Sequence, residues 1–347
     1  MSIEEIARKK TGSEAAKYIL WSDYVDVGQG QRLFVLEWGK RGGKPFIELH
    51  GGPGQSFNES HMALFNGETD HVIFFDQRGC GESKPSAAAL SEEETKIINT
   101  PFNIIGDIEK LRELRFEKVN VAGGSWGSTL ALLYAIKHPD RVASLQLWSL
   151  YLGTKEETDN LFADQTEDPD FPFVAAWERF IAMVPQHQRG EGRDGRANPR
   201  NVLEYYRRMV NSPDAAVARR FSEEYAIYEF TLCAPDDPGK IEADVRSDAN
   251  AISAARIELL YLSNDIFVPD NYILDNVGEL KGITITTAQG LKDRCTLIKF
   301  AHKFEEKLGR KCVIPVENAG HLRNDKKMAA VLKENMSRAP VLANSNF

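Results

Sequence analysis

Ser125 stands in Gly123-Gly124-Ser125-Trp126-Gly127, where glycines two residues to either side leave its hydroxyl uncrowded. A serine hydroxyl attacks a carbonyl at neutral pH only with two helpers: a histidine to take its proton and a carboxylate to hold that imidazole in the right tautomer. The chemistry would be acyl transfer, and it also needs N–H donors for the developing oxyanion. Where a strand delivers the serine and a helix leaves it, the partners follow in the order serine, acid, histidine. Of seven histidines only His302 and His321 come late enough. His302 lies in the helical pattern FAHKFEEKL and reads as an ordinary helix residue. His321 follows the apolar run CVIPV and the small residues Asn318-Ala319-Gly320, so it tops a loop. For the acid, Asp293 lies just beyond the run ITITT and before a helical pattern, one strand-helix unit ahead of His321. Asp265 and Asp270 are rivals that precede that run. Blander roles exist for each: a glycine-rich turn around a buried serine, a solvated loop histidine, and a surface ion pair of Asp293 with Lys292 or Arg294.

These residues need a frame. Val119 to Val121 is a short β-branched run that meets the glycines, and the Ala/Leu-rich pattern after Trp126 is helical, which makes the serine turn a nucleophile elbow. The serine is expected in a strained backbone conformation. Pro45 to His50 reads as a buried strand running into Gly51-Gly52-Pro53-Gly54, a loop whose bare backbone can approach a ligand closely. One oxyanion donor would be the N–H of Trp126 and the other that of Gly52 or Gly51. His50, at the strand end under that loop, reads as a stiffener and not as a base.

Strand patterns also occupy Tyr24 to Val27 and Gln31 to Trp38, joined by Gly28-Gln29-Gly30, then His71 to Phe75 and Val142 to Leu150. Thr100-Pro101 opens a helix, and residues 2–20 carry a polar helical pattern that need not belong to the core. After Tyr151 the texture turns aromatic, acidic and helical until about Asn250, and alternating strands and helices then return. The fold class is α/β: a mostly parallel sheet covered by helices on both faces, with an inserted helical cap. The division is a core of residues 1–150 and 256–347 and a cap of residues 151–255.

The composition fits such a protein, with 347 residues, 42% hydrophobic and 27% charged. A formal charge of −8 without any basic patch argues against nucleic acid as the main partner, and the most basic stretch, Arg189 to Arg200, reads as a loop. Cys80, Cys233, Cys295 and Cys312 are far apart and form no C-x-x-C pair, which favours reduced thiols over a disulfide framework or a zinc site. The first residues lack the apolar core of a signal peptide, and no run is long enough for a membrane span. A cytoplasmic protein without metal or organic cofactor is the expectation; oligomeric state is not legible.

HGGPG at His50–Gly54, DQRGCGES at Asp76–Ser83 and GGSWGSTLAL at Gly123–Leu132 come in the order seen in one family. The chain resembles the proline iminopeptidases (prolyl aminopeptidases) of the α/β-hydrolase superfamily. The resemblance implies Ser125, Asp293 and His321 as the triad. It further implies two glutamates that hold the substrate's amine, matched by Glu229 in Tyr228-Glu229 and Glu258 in Ala255-Arg256-Ile257-Glu258. The chain departs from the family at Gln289-Gly290-Leu291-Lys292-Asp293, at Gln55-Ser56 and at Trp148-Ser149-Leu150-Tyr151. The implied activity is release of an N-terminal proline or similar small residue from a peptide or amide, through an acyl-enzyme. The same triad would also serve an esterase, amidase or lactam hydrolase acting on a small metabolite. A more distant alternative is a non-catalytic ligand-binding protein on a hydrolase shell.

Overall fold

Alternation along the strands divides the interior in two. Leu33 and Val35 of strand β2 (Gln31–Gly39), Ile47 and Leu49 of β3 (Lys44–Leu49), and Ile73 and Phe75 of β4 (Asp70–Phe75) face one apolar cluster. Phe34, Leu36, Trp38, Phe46, Val72 and Phe74 face the other. Side chains of successive strand residues point to opposite faces, so strands buried on both sides must be apolar throughout. Each large side chain buried this way contributes roughly 1.5–3 kcal/mol. The structure, a computed structural model, describes residues 1–164, 171–192, 195–234 and 238–342. Arg193 and Asp194 of the basic stretch, and residues 165–170 and 235–237 of the expected cap, lie outside the described residues.

The remaining strands are β1 (Ile19–Gly28), β5 (Val119–Ser125), β6 (Val142–Leu150), β7 (Thr284–Gly290) and β8 (Val313–Val316). They form one eight-stranded sheet in the order β1-β2-β4-β3-β5-β6-β7-β8. The β1–β2 and β2–β4 pairs are antiparallel and the rest parallel. Helices Pro101–Glu113, Trp126–Lys137 and Ile298–Leu308 pack on the first cluster. Helices Ile3–Ala15 and Lys326–Arg338 pack on the second. From β3 the chain turns one way to β4, then crosses back to β5 on the other side of β3. Ligands of open α/β sheets bind at the carboxyl ends of strands where the order reverses in this way. The glycine loop after β3 and the serine after β5 both emerge there.

The N-terminal helix departs from expectation. Ile6, Ala7 and Thr11 are buried. Lys10 reaches the Asp76 carboxylate at 2.9 Å, and its ammonium lies 4.0 Å from the Phe57 ring centroid. The polar pattern conceals this because one short apolar stripe and a single buried ion pair suffice to dock a helix.

Between β6 and β7 the described residues are helical and contain no strand; the longest helix is Ala215–Cys233. Aromatic stacking holds the helices together, with Phe180 at 4.2 Å between ring centroids from both Tyr206 and Tyr228. Helix Ala251–Ser263 runs unbroken through position 255.

Candidate active site

Ser125 has φ 54° and ψ −127°, the last residue of β5 and the N-cap of helix Trp126–Lys137. A positive φ is costly for a non-glycine residue and persists only where the surroundings impose it. Here a Cβ on Gly123 would come within 2.5 Å of the Gly127 carbonyl oxygen. One on Gly124 would overlap the Trp148 indole, and one on Gly127 the Leu49 carbonyl. Strand, turn and helix are therefore in backbone contact, and the serine has no room to relax. Trp126 opens the helix, so its N–H has no partner within it.

A Cβ on Gly51 would lie 4.0 Å from Ser125 Oγ, which puts the β3 loop against that hydroxyl. His50 is buried beneath. Its Nε2 accepts from the Gln77 N–H at 3.0 Å, so Nδ1 carries the proton and donates to the Gly51 carbonyl at 3.0 Å. Burial pulls its pKa down to about 4, leaving it neutral. The carbonyl of Gly51 and the N–H of Gly52 belong to one trans peptide and point oppositely. His50 thus turns the Gly52 N–H away from itself, and Gly52 lines the cavity above.

Asp293 and His321 follow β7 and β8. His321 Nδ1 donates to Asp293 Oδ2 at 2.9 Å, both groups being buried. The acid also accepts from the N–H groups of Cys295 and Thr296 at 2.9 Å and the Thr296 hydroxyl at 2.8 Å. Burial alone would push its carboxyl up, but the His321 charge and these bonds outweigh it, and the net shift is downward. For His321, burial pulls downward and the Asp293 charge and hydrogen bond prevail, so its pKa is raised. With Nδ1 committed to Asp293, Nε2 is the nitrogen left for a proton transfer. Gln289, at one of the family departures, is fully buried and ties three elements together. It donates to Asp293 Oδ2 at 3.2 Å and to the Thr296 carbonyl at 2.6 Å, and accepts from the Leu150 N–H at 2.9 Å. Ser149, at another departure, donates to the His321 carbonyl at 2.7 Å. The rivals are engaged elsewhere: Asp265 pairs with Arg200 at 2.9 Å, Asp270 accepts from the Lys155 N–H, and the His302 side chain is 52% exposed.

Ser125 and His321 line one cavity of about 490 Å³ together with Gly51, Gly52, Trp148 and Glu229. A larger cleft of about 1460 Å³ beside the N-terminal helix contains none of these residues. Glu229 is half-buried in helix Ala215–Cys233; burial raises its carboxyl to about 7, against the pull of His321. Glu258 is buried in helix Ala251–Ser263, near Tyr225. Its pKa is raised well above the ordinary range, first by burial and then by the Glu229 charge. Both sequence-predicted glutamates thus come within electrostatic reach of one another.

Residues 44–233 match the family model for the alpha/beta hydrolase fold. A proline iminopeptidase of Arabidopsis thaliana is 32% identical over 90% of this chain and 77% of its own length. That of Neisseria gonorrhoeae is 31% identical over 90% and 93%. The chain belongs to the proline iminopeptidase family. Among solved structures, the proline iminopeptidase of Mycobacterium smegmatis superposes with a TM-score of 0.55 at 18% identity, over 92% of this chain and 98% of that one. An esterase of Exiguobacterium antarcticum gives 0.58 at 16%, over 92% and 99%. Likeness at that identity speaks for the fold alone.

Folding also assembles what sequence reading missed. Cys233 and Cys295 are free, and their sulfurs approach to 2.9 Å. With His321 they form a group whose potential ligand atoms lie within 4.8 Å of one another. Their separation along the chain matches no ligand spacing, so no sequence signal marked them. Lys10 escaped notice because its partner, Asp76, is distant in sequence.

Proposed function

We propose that this chain is a serine aminopeptidase that releases an N-terminal proline or a similar small residue from short peptides and amides. The observation that carries the reading is the acid pair Glu229 and Glu258: Glu229 lines the cavity that also contains the elbow serine, and Glu258 is buried within electrostatic reach of it. Two carboxylates near one subsite cost free energy unless a cation arrives to share them. A substrate ammonium is such a cation.

Ser125 Oγ attacks the carbonyl carbon as its proton passes to His321 Nε2, and the carbonyl oxygen becomes the oxyanion. The N–H groups of Trp126 and Gly52 donate to it, with Gly51 as the alternative donor. His321 then gives the proton to the leaving amine as the C–N bond breaks. Water, deprotonated by His321, attacks the acyl-enzyme, and Ser125 leaves with its proton restored. Asp293 holds the imidazole and stabilises its charged form. None of these steps calls for a metal or an organic cofactor. In this division of labour residues 1–150 and 256–347 supply the acyl-transfer machinery, and residues 151–255 are the cap that sets the substrate's amine end. Helix Ala251–Ser263 joins the two units and brings Glu258 to the cap side.

Prolyl, alanyl and leucyl arylamides, set against aryl esters without an amine, test the reading. Faster turnover of the prolyl arylamide supports it. Ester cleavage with no arylamide cleavage would overturn it in favour of an esterase. Failure of a fluorophosphonate to label Ser125 would favour a binding protein.

A further inference from the structure

Arg323 is a cation for which the reaction above has no use. It stands two residues beyond His321 and lines the same cavity, beside Asn58, Ser60 and His61. Its Nε is buried without a hydrogen-bond partner, and Nη2 reaches only Asn58 Oδ1, at 3.4 Å. Among the described residues it makes no ion pair within 4.0 Å. The acid that acts on it is Glu48, fully buried, with neither carboxylate oxygen hydrogen-bonded. Burial raises Glu48 to about 8, so at neutral pH it keeps its proton and leaves Arg323 uncompensated. Burial lowers Arg323 itself only to about 10, so it stays charged. A half-buried guanidinium with free donors is costly by itself and well matched to a planar carboxylate.

Its position selects the anion. His321 protonates the leaving amine, so the nitrogen of the leaving residue lies at His321. In an α-amino acid the carboxylate sits on the carbon next to that nitrogen. The negative charges, Glu229, Asp244 and Asp248, come from the helical wall, while Arg323 comes from the loop after β8. The acids and the guanidinium thus come from different walls of the cavity that also holds Ser125 and His321. We propose that Arg323 binds the free carboxylate of the leaving residue, so that the preferred substrates are dipeptides with both termini free. The inference rests on the aminopeptidase reading.

The test compares prolyl-alanine with prolyl-alaninamide. A charge-assisted bond predicts kcat/KM about 10-fold or more in favour of the free acid. In Arg323→Gln the ratio measured within that variant should fall to about 3-fold or less, with Arg323→Lys between. Equal rates in the wild type, or a ratio that survives in Arg323→Gln, would overturn the proposal. If Arg323→Gln does not fold, product inhibition of the wild type decides. Alanine should inhibit prolyl arylamide cleavage at concentrations about 10-fold below alaninamide, and equal inhibition would count against the site. Arylamide cleavage with no preference for the free carboxylate sinks this inference alone. Absence of turnover on every prolyl substrate sinks the aminopeptidase reading with it.

Discussion

On the sheet side of the cavity, Gly124 and Gly127 leave no room for a methyl group, and the backbone itself holds Ser125, Trp126 and Gly52. On the helical side, Glu229 lines the cavity with Glu258 buried in its electrostatic reach, and burial has raised the pKa of both. The first wall is specified by close packing, which tolerates almost no change and serves any acyl transfer. The second is specified by charge out of water, which is costly, adjustable and selective. A hydrolase can therefore keep its chemistry and change its substrate by altering only the second wall.

The largest effect should come from the sheet side. Ser125→Ala is expected to lower kcat by about 10⁴-fold or more on amide and ester alike. Its melting temperature should stay near that of the wild type. Activity above background in this variant would break the comparison at its root. Glu229→Gln should act on one substrate class only. Loss of a charge-assisted contact predicts about 10- to 100-fold lower kcat/KM on the prolyl arylamide, with aryl ester cleavage little changed. Equal losses on both substrates would place Glu229 with the chemistry.

The pH profile separates the walls further. In the proposed mechanism His321 must be neutral to act as base, and its raised pKa predicts that activity is lost as pH falls through a value above 6.5. Glu229 must be ionised to hold an ammonium, and that is lost as pH falls through about 7. Amide cleavage should therefore show the steeper acid limb, approaching two protons, and ester cleavage the limb of one. Parallel limbs would remove Glu229 from amine binding.

The smallest effect concerns stability. The buried Glu48 holds its proton to about pH 8 while the unfolded chain releases it near 4.5. Between those values the folded state binds the extra proton, so stability falls as pH rises. Glu48→Gln should lack this slope, and its melting temperature relative to the wild type should climb from pH 5 to pH 8. A constant difference would mean that Glu48 ionises normally.

Legibility in the sequence followed the same division. The strands, the elbow and the order of Ser125, Asp293 and His321 rest on local patterns, because period-two burial and a bare turn must be written in consecutive residues. The observed strands after Tyr151 lie within a residue or a few of the expected ones: β7 is Thr284–Gly290 against Ile283 to Thr287. Glu229 and Glu258 were found only through the family's motifs, since an acid in a helix carries no sign of what it faces.

The sequence by itself determined the parallel sheet, the serine turn and the residues that could complete an acyl-transfer site. Only the tertiary structure decided which charges share the cavity. Lys10 on Asp76, Gln289 under Asp293 and Cys233 against Cys295 are pairings of residues distant in sequence or of groups whose burial no local pattern records, and the field of Glu48 reaches Arg323 across the fold. Electrostatics depends on distance in space and on exclusion of water, and both exist only once the chain has folded.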